Sequence, residues 1–193
     1  MIYDITQELF TCRVFPGDPQ PVGERVLSTA NGDVCNLTKF SMCAHNGTHV
    51  DAPFHFIGDG KTIDQVDLSS FVGDCYVGTV NGNVSADDAK ALLSAAKDAG
   101  AAERILIKGD AVVTKEGAEV FAEAGILLLG NESQTVGPME DPAPIHLVLL
   151  GKGIVLLEGI ELSKVPEGKY FLSAAPINLG GADGAPCRAY LIG

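Results

Sequence analysis

The sequence is poor in basic residues, has few histidines and lacks tryptophan altogether. Lys and Arg number 13 against 25 Asp and Glu, which gives a net charge of −12. A surface of this sign repels phosphate groups, so we expect neither nucleic acid nor an anionic membrane as a partner. No apolar run approaches the ~20 residues that a membrane span requires. The first residues, MIYDITQELF, also lack the basic start of a signal peptide.

The cysteines are few and lack a metal-binding or redox spacing. There are five, an odd number, and no CxxC motif is present. This distribution is typical of free thiols in a reducing compartment rather than of a disulfide framework. It predicts a cytoplasmic location, and the roles of the individual thiols stay open.

The remaining composition predicts one α/β domain over residues 1–193. The chain is 46% hydrophobic and 20% charged, which is typical of a soluble globular protein. Helical and strand patterns alternate in its middle and strands dominate both ends, which favours a mixed sheet. Strands are predicted at 2–5, 25–29, 37–43, 74–80, 104–107, 126–129, 154–157, 170–174 and 187–192. Helices are predicted after Ser85, after Thr114 and at 142–151, and the segment 15–23, FPGDPQPVG, is predicted to be a loop.

Three of the four histidines lie in one short segment, AHNGTHVDAPFHF at 44–56. His45, His49, Asp51 and His55 all occupy odd positions. Because a strand places alternate residues on one face, His49 and Asp51 are expected side by side, ~7 Å apart at Cα. Asn46-Gly47 is a strong turn signal that would fold His45 back toward them.

Two imidazoles and a carboxylate are suitable ligands for a divalent transition metal. A site with three protein ligands leaves a position for water, as catalytic sites do. His55 would then serve in proton transfer, since its intrinsic pKa lies near neutrality. The alternative is that these histidines are packed and hydrogen-bonded without a metal. Cys43 shares the same phase and is either a fourth ligand or a buried structural thiol.

A second pair of residues points to the same chemistry. His146 lies on the apolar helical segment PAPIHLVLLGKG, and Glu158 interrupts the strand pattern IVLLEGI. A carboxylate among Ile, Val and Leu is unfavourable unless it is paired or bound to a cation. Two partners for Glu158 stay open at this point, a metal ion and Arg188.

These motifs together resemble the metal-dependent cyclase family, which includes bacterial kynurenine formamidases and isatin hydrolases. The segment 44–56 matches the signature HxGTHxDxPxH. FPGDPQP, IHLVLLGKGIVLLEGIEL and GGADGAPCRAYLI resemble further family segments in the family's order, so the resemblance covers most of the chain.

The resemblance implies a fold, an assembly and a set of site residues. The fold would be an α/β domain of the swivelling β/β/α type, with a mixed β-barrel-like sheet and helices packed outside, assembled as a homodimer or homotetramer. Phe15 would stack on the substrate where family members carry tryptophan, and His55 would be the acid/base. The implied metal ligands are His45, His49 and Asp51 for one ion, with Asp51 bridging to a second ion completed by His146 and Glu158.

The implied function is hydrolysis of a small molecule at an amide, formamide or lactam C–N bond, as in N-formylkynurenine. The cofactor would be one or two divalent ions. Imidazole-rich sites suit Zn²⁺, whereas added carboxylates let Mn²⁺ compete. The sequence has no GxSxG, P-loop or GxGxxG motif that would favour another chemistry. Two alternatives remain, a metal-dependent cyclase or lyase acting on a small hydroxy acid, and a metal- or ligand-binding protein without catalysis.

Overall fold

The computed structural model describes residues 1–193 as a single α/β domain with thirteen strands and three helices. The strands are β1 (Ile2–Asp4), β2 (Val22–Leu27), β3 (Leu37–Ser41), β4 (His49–Asp51), β5 (Val72–Thr79), β6 (Gly82–Val84), β7 (Arg104–Lys108), β8 (Ala111–Val113), β9 (Leu128–Asn131), β10 (Val155–Glu158), β11 (Gly168–Ser173), β12 (Gly184–Pro186) and β13 (Tyr190–Ile192). The helices are α1 (Ala86–Asp98), α2 (Lys115–Ala124) and α3 (Ala143–Leu150).

Nine strands form one strongly curled mixed sheet, a half-barrel. Their order is β1-β13-β11-β5-β7-β9-β10-β4-β12. The central strands β5, β7, β9 and β10 run parallel to one another, while β4 is antiparallel to both β10 and β12. Two small sheets stand apart from it, the β2–β3 hairpin and the β6–β8 pair. The mixed, barrel-like sheet implied by the family resemblance is confirmed.

Alternate residues of the central strands enter two separate hydrophobic cores. In β10, Val155 and Leu157 belong to a core of 21 buried residues on one face of the sheet. Leu156 belongs to the second core of 18 residues, which also contains the buried faces of all three helices. The strands are therefore buried on both faces, which is the physical reason for their continuous apolar runs.

Helix boundaries agree with the capping residues in the sequence. Ser85 and Asp88 form a capping box at the start of α1. Thr114 accepts a hydrogen bond from Gly117 N–H at the start of α2, and Gly125 ends that helix in the left-handed conformation. None of the helices is long and apolar enough to span a membrane.

Some predicted strand boundaries were wrong. The strand predicted at 25–29 lies at Val22–Leu27, so it takes in the end of the predicted loop, because its hydrogen bonds pair it with β3 in a hairpin. Only Tyr190–Ile192 of the strand predicted at 187–192 pairs regularly, and Cys187 forms an isolated bridge. The three-residue strands β6, β8 and β12 were missed, because so few residues show no periodicity.

Candidate active site

The short strand β4 presents His49 and Asp51 on the helix-covered face of the sheet. Val50, between them, belongs to the core on the opposite face. In the antiparallel pairing of β4 with β10, Glu158 lies opposite His49 and Leu156 lies opposite Asp51. Since residues directly opposite each other share a face, Glu158 also points to the helix side.

His146 completes a closed cluster of four buried side chains. It reaches from α3 to Asp51 and Glu158, with Nε2–oxygen distances of 3.4 and 3.3 Å. His49 Nε2 lies 3.4 Å from a carboxylate oxygen of each of the same two residues. Ligands ~2.0–2.1 Å from one ion in tetrahedral coordination are ~3.3–3.4 Å apart, so each of these nitrogen–oxygen separations is compatible with two atoms that share one ion.

The backbone holds both imidazoles with Nε2 toward the carboxylates. His49 Nδ1 donates to Gly47 O at 3.0 Å, and His146 Nδ1 donates to Pro142 O at 2.9 Å. Hydrogen bonds of this kind fix the tautomer of a metal-ligating histidine. His49 Nε2 and Asp51 Oδ2 are buried without any hydrogen-bond partner. Unpartnered buried imidazole and carboxylate atoms of this kind fit the donor set that a divalent metal ion prefers.

The two buried carboxylates of the cluster also favour positive charge between them. Burial alone lowers the pKa of His49 and of His146, but the neighbouring carboxylates of Asp51 and Glu158 outweigh it and raise each pKa to about 10. Although burial raises the pKa of Asp51, the neighbouring imidazoles of His146, His45 and His49 lower it overall, well below its usual range. Two buried carboxylates thus attract two positive charges, which either two protons or one divalent cation can supply.

A second, more exposed group lies next to the cluster. His45 bridges two carboxylates, with Nδ1 2.8 Å from Asp51 and Nε2 2.8 Å from Asp183. The His55 ring stacks on His45 with centroids 3.9 Å apart, and its Nδ1 lies 3.2 Å from the same Asp183 oxygen. Burial is the main cause that lowers the pKa of His55, so its imidazole is neutral at pH 7. A neutral imidazole held at Nδ1 by a carboxylate can accept a proton at Nε2.

These groups open into a cavity of about 260 Å³. Phe15 and Phe56 supply its aromatic surface, and Phe56 also packs against the ring of His146 at 4.6 Å between centroids. A cavity of this size, below the usual range for drug-sized ligands, suits a small substrate. Its lining comprises Phe15, Asp18, His45, His49, His55, Phe56, Gln134, Thr135, Pro142, His146 and Glu158.

The structure brings the residues singled out in the sequence to one place. All four histidines, Asp51, Glu158 and Phe15 lie in or directly beneath the cavity. Arg188 is not the partner of Glu158, because it forms an ion pair with Asp4. Cys43 is half-buried and belongs to neither group of metal-capable side chains.

Asp183 is the charged site residue that sequence reasoning missed, and Phe56, Gln134 and Thr135 of the cavity lining were missed as well. Asp183 approaches His45 and His55 from just before β12, far away in the sequence. In the sequence, the segment GGADGAP that carries it shows only a resemblance to the family. No spacing rule connects this aspartate to the histidine motif.

Comparison with known proteins gives consistent results. The family model described as "Putative cyclase" matches residues 3–138. A "Kynurenine formamidase" of Salinibacter ruber is 38% identical over 92% of this chain and 90% of its own length. One of Erythrobacter litoralis is 31% identical over 98% of this chain and 93% of its own.

Solved structures share the fold. One titled "The Structure Of Potential Metal-Dependent Hydrolase With Cyclase Activity" covers 99% of this chain and 96% of its own, with a TM-score of 0.82 and 28% identity. Isatin hydrolase A from Labrenzia aggregata covers 99% of this chain and 93% of its own, with a TM-score of 0.84 and 21% identity.

Proposed function

The chain belongs to the cyclase family, and we propose that it is a metal-dependent hydrolase that cleaves the C–N bond of a small aryl formamide or related amide. The observation that carries the proposal is the closed cluster of His49, Asp51, His146 and Glu158 at the base of a small cavity, beside His55. The curated relatives named kynurenine formamidases support a substrate similar to N-formylkynurenine.

We propose His49, Asp51, His146 and Glu158 as the ligands of a first ion. The ligand atoms of His45, Asp51 and His55 lie within reach of one ion. We propose that His45 and Asp51 hold this second ion, which would keep open positions for water, and that His55 stays free for proton transfer. This assignment moves His49 into the set with Glu158, since its Nε2 is equally distant from both carboxylates. Zn²⁺ suits the two imidazoles and the tetrahedral spacing, and Mn²⁺ is the competitor that the carboxylates favour.

A divalent ion, when bound, polarises a carbonyl group and lowers the pKa of water so that it attacks near neutral pH. The reaction forms a C–O bond between water and the carbonyl carbon and breaks the C–N bond. His55 accepts, at its Nε2, the proton that the attacking water releases. It then delivers this proton to the leaving nitrogen. Asp183 holds His55 Nδ1 in place throughout, and Phe15 and Phe56 orient the aromatic ring.

The test combines metal analysis with a substrate panel. The protein is purified without chelators, its metal content per chain is measured by elemental analysis, and N-formylkynurenine, formanilide, isatin and a simple lactam are offered. We expect one or two Zn²⁺ or Mn²⁺ per chain and release of formate from the formanilides. His49→Ala should lose the metal and the activity together.

Two results would contradict the proposal. A metal-loaded protein that cleaves none of these amides would favour a binding protein without catalysis. Release of a product without consumption of water would favour the cyclase or lyase alternative.

We further propose that the chain assembles as a homodimer or homotetramer through the β2–β3 hairpin. All but one of the residues in these strands are exposed, including Val22, Leu37 and Phe40. Exposed apolar side chains gathered on one hairpin are typical of an interaction site, and a second copy would cover them. Light scattering after size-exclusion chromatography should show an oligomer in the wild type and a smaller species for Phe40→Asp.

The cytoplasmic location predicted from the cysteines also stays a proposal. All five cysteines are free in the structure, which supports a reducing compartment. Fractionation of the cells that make the protein would test it.

A further inference from the structure

One tight turn places both an aromatic ring and a carboxylate in the cavity. Phe15 and Asp18 are its first and last residues, joined by a hydrogen bond of 3.1 Å from Asp18 N to Phe15 O. Pro16 fixes the second position and Gly17 takes φ +101°, as a type II turn requires. Because both end residues line the cavity, a substrate ring that stacks on Phe15 lies near the Asp18 carboxylate.

Asp18 is the only charged residue of the lining outside the metal cluster and the His45–His55 group. No Lys or Arg lines the cavity. Asp18 takes part in none of the ion pairs of the chain, and only its backbone N–H is hydrogen-bonded. A carboxylate without a partner at the edge of a binding cavity is complementary to a cation and repels an anion.

Two buried side chains in the same lining independently favour a hydrogen-bond donor on the ligand. Gln134 donates through Nε2 to Gly47 O, which leaves its Oε1 buried without a partner. Thr135 Oγ1 is likewise buried and unpartnered. The exposed fractions of Gln134 and Thr135 are 5% and 2%. An amide oxygen can only accept, so the group that satisfies it must carry an N–H or O–H.

We propose that Asp18 is a specificity-determining residue that binds a positively charged amine on the substrate, while Gln134 and Thr135 accept hydrogen bonds from its donor groups. This inference rests on the proposed aryl-amide hydrolysis and defines its substrate class. The preferred substrates are aryl amides that carry an ammonium group. A substrate carboxylate finds no cation in the cavity and has to point to solvent.

The test compares three formanilides with the same side chain, ending in an ammonium, a hydroxyl or a carboxylate group. In the wild type we expect kcat/KM for the ammonium substrate to exceed that for the hydroxyl substrate about tenfold, the effect of one charge-assisted hydrogen bond. The carboxylate substrate should be the poorest. Asp18→Asn should reduce the ammonium-to-hydroxyl ratio to about one, and Asp18→Lys should favour the carboxylate.

The matched control is Asp59→Asn, which makes the same change of charge at an exposed aspartate outside the cavity lining. It should keep the wild-type ratio. A wild type without preference for the ammonium substrate, or an Asp18→Asn variant that keeps that preference, would overturn the inference while leaving the hydrolase proposal intact.

A binding measurement separates this inference from the proposed function. If no formanilide is cleaved, the hydrolase proposal fails, but calorimetry with 2-phenylethylamine and 2-phenylethanol still tests Asp18. We expect the wild type to bind the amine about tenfold more tightly than the alcohol. The Asp18→Asn variant should bind the two probes with equal affinity. Equal affinity of both probes for the wild type would refute the role of Asp18.

Discussion

The two histidine pairs of this protein occupy different environments only a few ångströms apart. The side chains of His49 and His146 are 1% and 3% exposed, and each is fixed by a backbone carbonyl. Those of His45 and His55 are 16% and 27% exposed, and each contacts Asp183. The buried pair has the fixed, desolvated geometry of metal ligands. In the exposed pair, His45 is proposed as a ligand of the second ion, whereas His55, the more exposed ring, has the access to water and substrate that a proton shuttle requires. Burial thus distinguishes the proposed roles of chemically identical side chains.

Removing the charge of a carboxylate that contacts the buried histidine pair should produce the largest loss of metal affinity and activity. Glu158→Gln keeps the size of the side chain but removes a charge from the cluster. We expect metal affinity to fall by more than about 100-fold, beyond the effect of losing a residue that merely supports a ligand. Activity should fall with it, and dialysis against a graded chelator series followed by elemental analysis measures the loss.

Glu161→Gln is the control for this change. Glu161 lies three residues further along the chain and forms an exposed ion pair with Arg13. Its variant should keep both metal and activity. Full metal occupancy in Glu158→Gln would remove Glu158 from the ligand set.

Changing His55 in the exposed pair should separate activity from metal content. We expect His55→Ala to retain its metal and to lower kcat by about 10²–10⁴, the usual effect of losing a general acid or base. Elemental analysis and steady-state kinetics on the same preparation make the comparison. A wild-type kcat would place the proton shuttle elsewhere.

Asp183→Asn should have a smaller effect of the same kind. The amide keeps the shape of the side chain but no longer stabilises the His55 ring by charge. We expect kcat to fall by about 10- to 100-fold with metal content unchanged. In combination with His55→Ala, the second change should add little, because both act on one proton transfer. Additive losses in the double variant would mean that Asp183 acts independently of His55.

Chemical modification should distinguish the exposed from the buried histidines in the wild-type protein. Diethyl pyrocarbonate reacts with neutral, accessible imidazoles. The lowered pKa of His55 leaves it neutral at pH 7, so it should react first. A pKa raised to about 10 keeps His49 and His146 protonated at pH 7 in the metal-free protein, and burial shields them in either form. Peptide mass mapping should therefore find modification at His55, and at His49 and His146 only after unfolding.

Much of this site could be predicted because its residues follow local rules. His49 and Asp51 share a strand face by simple alternation. The chain does reverse near the predicted Asn46-Gly47 turn, although the hydrogen-bonded turn is centred on Ala44-His45, and the His45 and His49 rings lie 5.1 Å apart. Glu158 could be predicted to need a cation or an ion-pair partner, because a carboxylate is unfavourable in an apolar strand. Each of these signals lies within a few residues of the side chain that it concerns.

The remaining features depend on contacts between distant segments. Asp183 reaches His55 only because β12 pairs with β4, and a three-residue strand such as β12 leaves no pattern in the sequence. The choice between a metal and Arg188 as the partner of Glu158 could not be made locally either. It depends on Arg188 pointing to the surface, where Asp4 pairs with it.

The pairing of β4 between β10 and β12 makes the site a check on correct folding. A slip of one residue in this strand would turn Val50 toward the cavity and bury His49 and Asp51 in the apolar core, because side chains alternate between the two faces. Misfolded chains of this kind would be unable to gather the four ligands. Metal uptake would then stabilise only correctly paired chains. The ion that takes part in the chemistry would therefore also favour the correct register of the sheet.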